Sequence, residues 1–165
     1  MSKQESWTVR YQKLRELGKG GNARVYLVKR FDRSEEYALK TLNTRGAEKQ
    51  SRFIDEIHVM RDNYATIEGI LPVFDYSEAD FWYTMPVAEP VMNYIERNRS
   101  SIQSIVLYSI SLCDTLIELH RRGISHRDIK PSNIYFYEGR FYLGDFGLVD
   151  FPDNTSGLTK ENKGL

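Results

Sequence analysis

Along the first forty residues, apolar and polar side chains alternate. In "ARVYLVKRF", Val25, Leu27 and Lys29 fall on one side, with Tyr26 and Val28 on the other. That two-residue period is the mark of a β-strand. "YQKLREL" alternates in part, and "EYALKTL" repeats the pattern after "FDRSE", whose Asp and Ser are turn formers. Three short strands joined by turns are predicted. At Ala47 the period changes: Phe53, Ile54, Ile57 and Met60 recur at helical spacing and predict an amphipathic helix from Ala47 to Arg61. "GILPVFDYS" and "FWYTMPV" return to strand composition, with Pro72 marking a strand start or an edge.

Pro86 and Pro90 interrupt the pattern and divide the chain into two parts, 11–85 and 86–165. Beyond them, "VMNYIERN" predicts a short helix and "SSIQSIVLYSISLCDTLIELHRRG" a long one. The long helix carries a broad apolar face of Ile102, Ile105, Val106, Ser109, Ile110, Leu112, Cys113, Leu116, Ile117 and Leu119, expected to be buried. Ser100 or Ser101 is placed to cap its start, and Gly123 stands at its stop. The loop "SHRDIKPSN" follows, then two short strands around "YEGR", then "GDFG" and a polar tail, "PDNTSGLTKENKGL", read as a loop. Strands gathered early and helices late give an α+β class.

The chain has 165 residues, enough to bury a core. Lys plus Arg number 23 and Asp plus Glu 23, so no bulk field favours nucleic acid or an anionic membrane. The single cysteine, Cys113, cannot form an internal disulfide and is expected to be a small core residue. No apolar run approaches membrane-spanning length, and "MSKQESWTVR" has no apolar signal segment. A soluble, cytoplasmic chain is expected.

The chemistry lies in four places. Gly18, Gly20 and Gly21 in "LGKGGNARVY" sit at a strand-to-strand turn, where glycines let backbone N–H groups approach phosphates. Taken alone, a flexible hairpin is the commoner reading. No Gly-Lys-Ser/Thr and no helix follows, which excludes a Walker loop and a dinucleotide fingerprint. Lys40 ends the apolar run "YALK"; if it points inward it needs a partner charge, and Glu56 on the following helix is the candidate. In "SHRDIKPSN", Asp128 is suited to accept a proton from an attacking hydroxyl, and Lys130 to neutralise a transferring phosphoryl group. Asn133 and Asp145 offer hard oxygen ligands of the kind Mg²⁺ takes alongside substrate phosphates. A turn Asp, a surface Lys, a turn Asn and a hairpin Asp are each commoner singly. The four together at these spacings are not a chance pattern.

These motifs resemble the front part of a eukaryotic-type protein kinase domain, in the family's order, from Tyr11 to the end of the chain. Gly18, Gly20 and Val25 match the glycine-rich loop, Lys40 the strand lysine and Glu56 its helix partner. His126, Arg127, Asp128 and Asn133 match the catalytic loop, and Asp145, Phe146 and Gly147 the metal-binding triplet. Lys130, two places after Asp128, resembles the serine/threonine branch. The resemblance implies a two-lobe fold: a five-stranded sheet with one helix, then the start of a helical lobe. It implies transfer of the γ-phosphoryl of ATP to a Ser/Thr hydroxyl of a protein substrate, with Mg²⁺, or Mn²⁺ in its place. It further implies a nucleotide site of Leu17, Gly18, Lys19, Gly20, Gly21, Asn22, Ala23, Val25, Ala38, Lys40 and Tyr135, with a hinge of Met85, Pro86 and Ala88. Asp128, Lys130, Lys40 and Glu56 would carry catalysis, and Asn133 and Asp145 the metal.

Three features depart from the family pattern. Ala23 replaces the third glycine; since the phosphate contacts are made by backbone, nucleotide binding is expected to survive. Tyr135 stands where an aliphatic residue lies beneath the adenine and alters the floor of the pocket. The chain also stops inside the activation segment, which implies an exposed apolar surface on the second lobe and self-association through it. Thr155, Ser156 and Thr159 are hydroxyls that could carry a phosphate for Arg127, although a merely polar loop is the commoner reading for any one. Two other functions compete. One is a pseudokinase-like or truncated scaffold, opposed by the intact Lys40, Asp128 and Asp145. The other is a small-molecule kinase, opposed by Lys130 and the glycine-loop pattern.

Overall fold

The computed structural model describes residues 6–44 and 46–150. The polar tail, with Thr155, Ser156 and Thr159, lies outside the described residues.

Three antiparallel strands open the fold: β1 (Tyr11–Lys19), β2 (Ala23–Arg30) and β3 (Glu36–Leu42). The helix α1 (Ala47–Asn63) follows, running two residues past the predicted end. β4 (Tyr76–Ser77) and β5 (Trp82–Met85) complete a five-stranded antiparallel sheet of order β1-β2-β3-β5-β4. The alternation in β2 divides as the sequence predicts. Tyr26 and Val28 join Tyr11, Leu39 and Trp82 in a cluster on one face. Val25 packs against the main core on the other, with Phe53, Ile57 and Met60 of α1.

The segment "GILPVFDYS" is not the continuous strand its composition predicts. Ile70 forms only an isolated bridge to Leu143, and pairing resumes at Tyr76. Pro72 has no N–H for a ladder. The neighbouring bonds are irregular instead, with Leu71 N donating to Leu143 O and Phe74 N to Thr84 O.

After β5 the chain forms a short strand, β6 (Glu89–Pro90), then α2 (Val91–Asn98) and α3 (Ile102–Arg121). Ser101 caps α3, its Oγ accepting from Ser104 N at 3.1 Å. Gly123, at φ 73°, follows its end and Ile124 N returns to Leu119 O, closing the last turn as a left-handed glycine allows. β7 (Ile134–Tyr137) and β8 (Arg140–Leu143) form a hairpin whose two turn residues, Glu138 and Gly139, both have positive φ. With β6 they make a second sheet of order β6-β7-β8.

Two expectations for α3 are corrected. Its apolar face is only partly buried: Leu112 and Leu119 are in the core, but Ile102, Val106, Ile110 and Ile117 are exposed, as is Cys113, which is therefore not a core residue. The elements packed on α3, β8 chief among them, cover one side of a helix that is apolar around more of its circumference. The expectation that no apolar run approaches membrane-spanning length is corrected as well: by length and composition α3 is apolar enough to cross a membrane, its mean hydropathy reaching 1.4. Within the fold it packs as a core helix does on its covered side, where the buried Thr115 donates to Glu68 O at 2.7 Å.

Candidate active site

A cleft of about 750 Å³ opens between the β1–β2 turn, α1 and the loop before β7. Four separate segments line it: 18–25, Lys40 with α1, 128–135, and 145–148. Residues more than a hundred positions apart in the chain meet here.

Lys40 points inward from β3. Its Nζ donates to Glu56 Oε1 at 2.7 Å and Oε2 at 2.9 Å, and to Asp145 Oδ1 at 3.3 Å. Glu56 is 2% exposed and faces the core among Phe53, Ile57 and Met60 of α1. Such a carboxylate is tolerable only with partners, and Tyr83 is the second, its hydroxyl giving a third hydrogen bond to Oε1 at 2.9 Å. Tyr83 was not picked out from the sequence. Yet it lies opposite Lys40 across β3–β5, two places before Met85, so strand alternation puts it on the same face. Burial, the largest influence on Lys40, disfavours its charge. The carboxylates of Glu56 and Asp145 overcome this and leave its pKa raised. Burial likewise pushes Glu56 up, against the pull of Lys40.

The loop after α3 is held by its own backbone. Asn133 sits in a 3-10 turn begun by Pro131, buried, with its Nδ2 donating to Asp128 O at 2.9 Å and Asp128 Oδ2 at 3.0 Å. Lys130 Nζ donates to the same Oδ2 at 2.7 Å. That bond, the largest cause, holds the Asp128 carboxyl below its usual range. Among the described residues these side-chain bonds all fall on Oδ2, which leaves Oδ1 of Asp128 for an incoming group. The buried His126 links the loop to the strand leading to Asp145. Its Nε2 lies 3.1 Å from Gly144 O, and its ring stands 4.5 Å from that of Phe146, which is itself fully buried. Arg127 and Asp145 have φ of 64° and 60°, a costly region for residues other than glycine.

In the glycine turn, Gly20 N donates to Ala23 O at 2.9 Å. Gly18 and Gly21 have open space where a Cβ would stand, and none of Gly18, Gly20 and Gly21 has a positive φ. Neither strain nor crowding within the chain demands glycine there. Close approach by something bound in the cleft and the freedom of a flexible hairpin are the physical reasons that remain.

The nucleoside-end residues are distributed differently. Val25 and Tyr135 line the cleft with Lys19, Asn22 and Ala23, whereas Leu17, Ala38, Met85, Pro86 and Ala88 do not. Ala38 and Met85 face each other across β3–β5, 4% and 8% exposed. Ala88 N donates to Pro86 O at 3.0 Å, so these two hinge residues engage each other. The Tyr135 ring lies over Gly144, where an added Cβ would stand 3.0 Å from Cε2.

Comparison with known proteins bears on this arrangement. The family model described as protein kinase domain matches residues 11–163. The chain is 30% identical over 175 aligned residues to the serine/threonine-protein kinase PknD of Chlamydia trachomatis serovar L2b, covering 94% of this chain and 18% of that protein. It is 28% identical to the dual specificity protein kinase Ttk of Danio rerio, covering 85% of this chain and 15% of that protein. It is 29% identical to a probable casein kinase I homolog of Encephalitozoon cuniculi, over 84% and 45% of the two. The chain thus spans less than half the length of each.

Proposed function

The chain belongs to the protein kinase domain family, and from that premise we propose that it carries the active cleft of a cytoplasmic, Mg²⁺-dependent serine/threonine kinase using ATP. The observation that carries the reading is the convergence of Lys40, Glu56, Asp128, Asn133 and Asp145 on one cleft.

The residues present fit a metal–nucleotide pair. Mg²⁺ takes few protein ligands, all oxygen, and leaves the rest to phosphates and water. Asn133 commits its Nδ2 to Asp128, while its Oδ1 accepts only a long bond of 3.5 Å from Ser132 Oγ and keeps a lone pair for a cation; Asp145 is a half-buried carboxylate in the same cleft. When bound, ATP supplies the phosphoryl group and the metal neutralises charge on its phosphate oxygens.

The remaining work falls to the chain. The backbone N–H groups of the 18–22 turn would hold phosphates, with glycines admitting them closely. Lys40, kept charged by Glu56, would bind phosphate oxygens, and α1 would fix its position. Asp128, ionised at neutral pH, would orient the attacking hydroxyl through Oδ1 and take its proton late in the transfer. Lys130 on the same carboxylate would offset charge on the group in flight. Lys130 and the glycine turn favour a protein hydroxyl as acceptor.

The test is thermal melting with ATP, with and without Mg²⁺, beside Lys40→Ala and Asp145→Ala, followed by γ-phosphoryl transfer to a generic Ser/Thr protein, to a Tyr peptide and to a sugar or amine. A ligand at a hundred times its Kd raises stability by about 2.7 kcal/mol. A Mg²⁺-dependent rise lost in both variants, with transfer to Ser/Thr only, is the expected result. A rise without transfer would make the chain a nucleotide-binding scaffold. No rise would overturn the reading.

A further inference from the structure

Arg127 precedes Asp128 and holds a left-handed backbone conformation, φ 64°. Its guanidinium is not waiting for a partner: Nη1 lies 3.1 Å from Asp150 Oδ2. Asp150 is also joined to the catalytic loop by backbone. Ser125 N donates to Asp150 O at 3.1 Å, and Asp150 N to Ser125 O at 3.0 Å, forming an isolated antiparallel bridge. One residue thus grips the segment 125–127 three times, twice by main chain and once by charge. Beyond it, Val149 N donates to Phe146 O at 3.1 Å, so the turn from Asp145 to Asp150 is itself closed.

These bonds form a frame around Asp128. His126 ties the loop to Gly144, Gly144 N donates to Asn133 O, and the Ser125–Asp150 bridge closes the far side. The strained Arg127 lies between the ties at His126 and Asn133, next to Asp128. A non-glycine residue keeps a left-handed φ only when its surroundings over-determine it. The carboxylate of Asp150 is the one anionic group that the described residues place on Arg127.

We infer that Asp150 is a positioning residue: its carboxylate is the built-in anionic partner of Arg127, which holds Asp128 in place without any phosphate on the segment that follows. The inference rests on the kinase reading and deepens it by specifying regulation of the same site. The pair is only half-buried, so its contribution to global stability is small. Its effect is on orientation, where small displacements of a catalytic group are costly. Structural and positioning roles therefore separate in experiment.

The test uses the purified active protein before and after exhaustive phosphatase treatment, with Asp150→Asn and Asp150→Glu. Asparagine keeps the shape and both backbone bonds but removes the charge; glutamate keeps the charge. The expected result is an unchanged kcat for the parent after phosphatase. Asp150→Asn should lower kcat on the order of tenfold, with KM for ATP and melting temperature close to the parent, and Asp150→Glu should restore most of the loss. Loss of parent activity on dephosphorylation, or an unchanged kcat in Asp150→Asn, would overturn the inference. Absence of transfer by the parent itself would instead count against the kinase reading. In that case amide exchange across 125–128 decides: faster exchange in Asp150→Asn upholds the pairing, and equal exchange removes it.

Discussion

Replacing Glu56 by Gln isolates the charge at the centre of the site. The amide has nearly the shape of the carboxylate, so packing beside Phe53 and Ile57 is kept. What is lost is the anion facing Lys40 Nζ at 2.7 and 2.9 Å, within a site where the two side chains are 2% and 11% exposed. Removing one partner of a buried ion pair costs about 3–5 kcal/mol, because the other charge is stranded. Asp145, 3.3 Å from Nζ, offers the lysine a second partner, but its side chain is 45% exposed and such a pair recovers only about 0–1 kcal/mol. The expected loss is therefore about 2–5 kcal/mol, a large share of the roughly 5–15 kcal/mol that holds a typical domain. Urea unfolding at neutral pH, followed by circular dichroism, reads it as a lower midpoint at constant slope. Lys40→Met should cost less, since a stranded carboxyl already pushed up by burial can take a proton. The double variant should cost less than the two single losses added, with a coupling above about 1 kcal/mol. A Glu56→Gln chain within about 0.5 kcal/mol of the parent, or strictly additive losses, would refute the account of a coupled buried pair.

Other expectations follow from the same geometry. Gly144→Ala would set a Cβ 3.0 Å from Tyr135 Cε2 and 3.3 Å from Leu71 Cδ1, costing about 1–3 kcal/mol by overpacking; Tyr135→Leu in the same chain should recover most of that in thermal melts, and no recovery would locate the strain elsewhere. His126 is held below its ordinary 6.5 by burial, so the unfolded chain takes up the proton first as pH falls. The stability it contributes is complete above pH 6.5 and lost as pH drops through the lower folded value; midpoints from pH 7 to 5 should fall in the parent and fall less in His126→Phe. The exposed stripe of Ile102, Val106, Ile110 and Ile117 on α3 predicts concentration-dependent self-association in sedimentation. Val106→Lys with Ile110→Lys should shift the chain toward monomer, and an unshifted distribution would clear that face.

What the sequence determined by itself was local. Period-two alternation placed β2 and β3 and their faces, period 3.6 placed α1 and α3, Ser100 or Ser101 and Gly123 marked the ends of α3, and "YEGR" marked a hairpin turn. The motif residues were legible for the same reason: their spacing within a loop is a local property. Burial was not. The helix pattern gives how apolar a face is but not how much of it other elements cover, so half of the face on α3, with Cys113, proved exposed. Nor does strand composition ensure pairing, since a strand needs a partner edge in register and Pro72 withholds a donor, which left "GILPVFDYS" largely unpaired. The partners across the cleft were decided only by tertiary structure. Tyr83 reaches Glu56 because β3 and β5 are adjacent, and Asp150 meets Arg127 because the chain doubles back beside Ser125. Contacts of that kind depend on the register of elements distant in sequence, and no short-range pattern encodes that register.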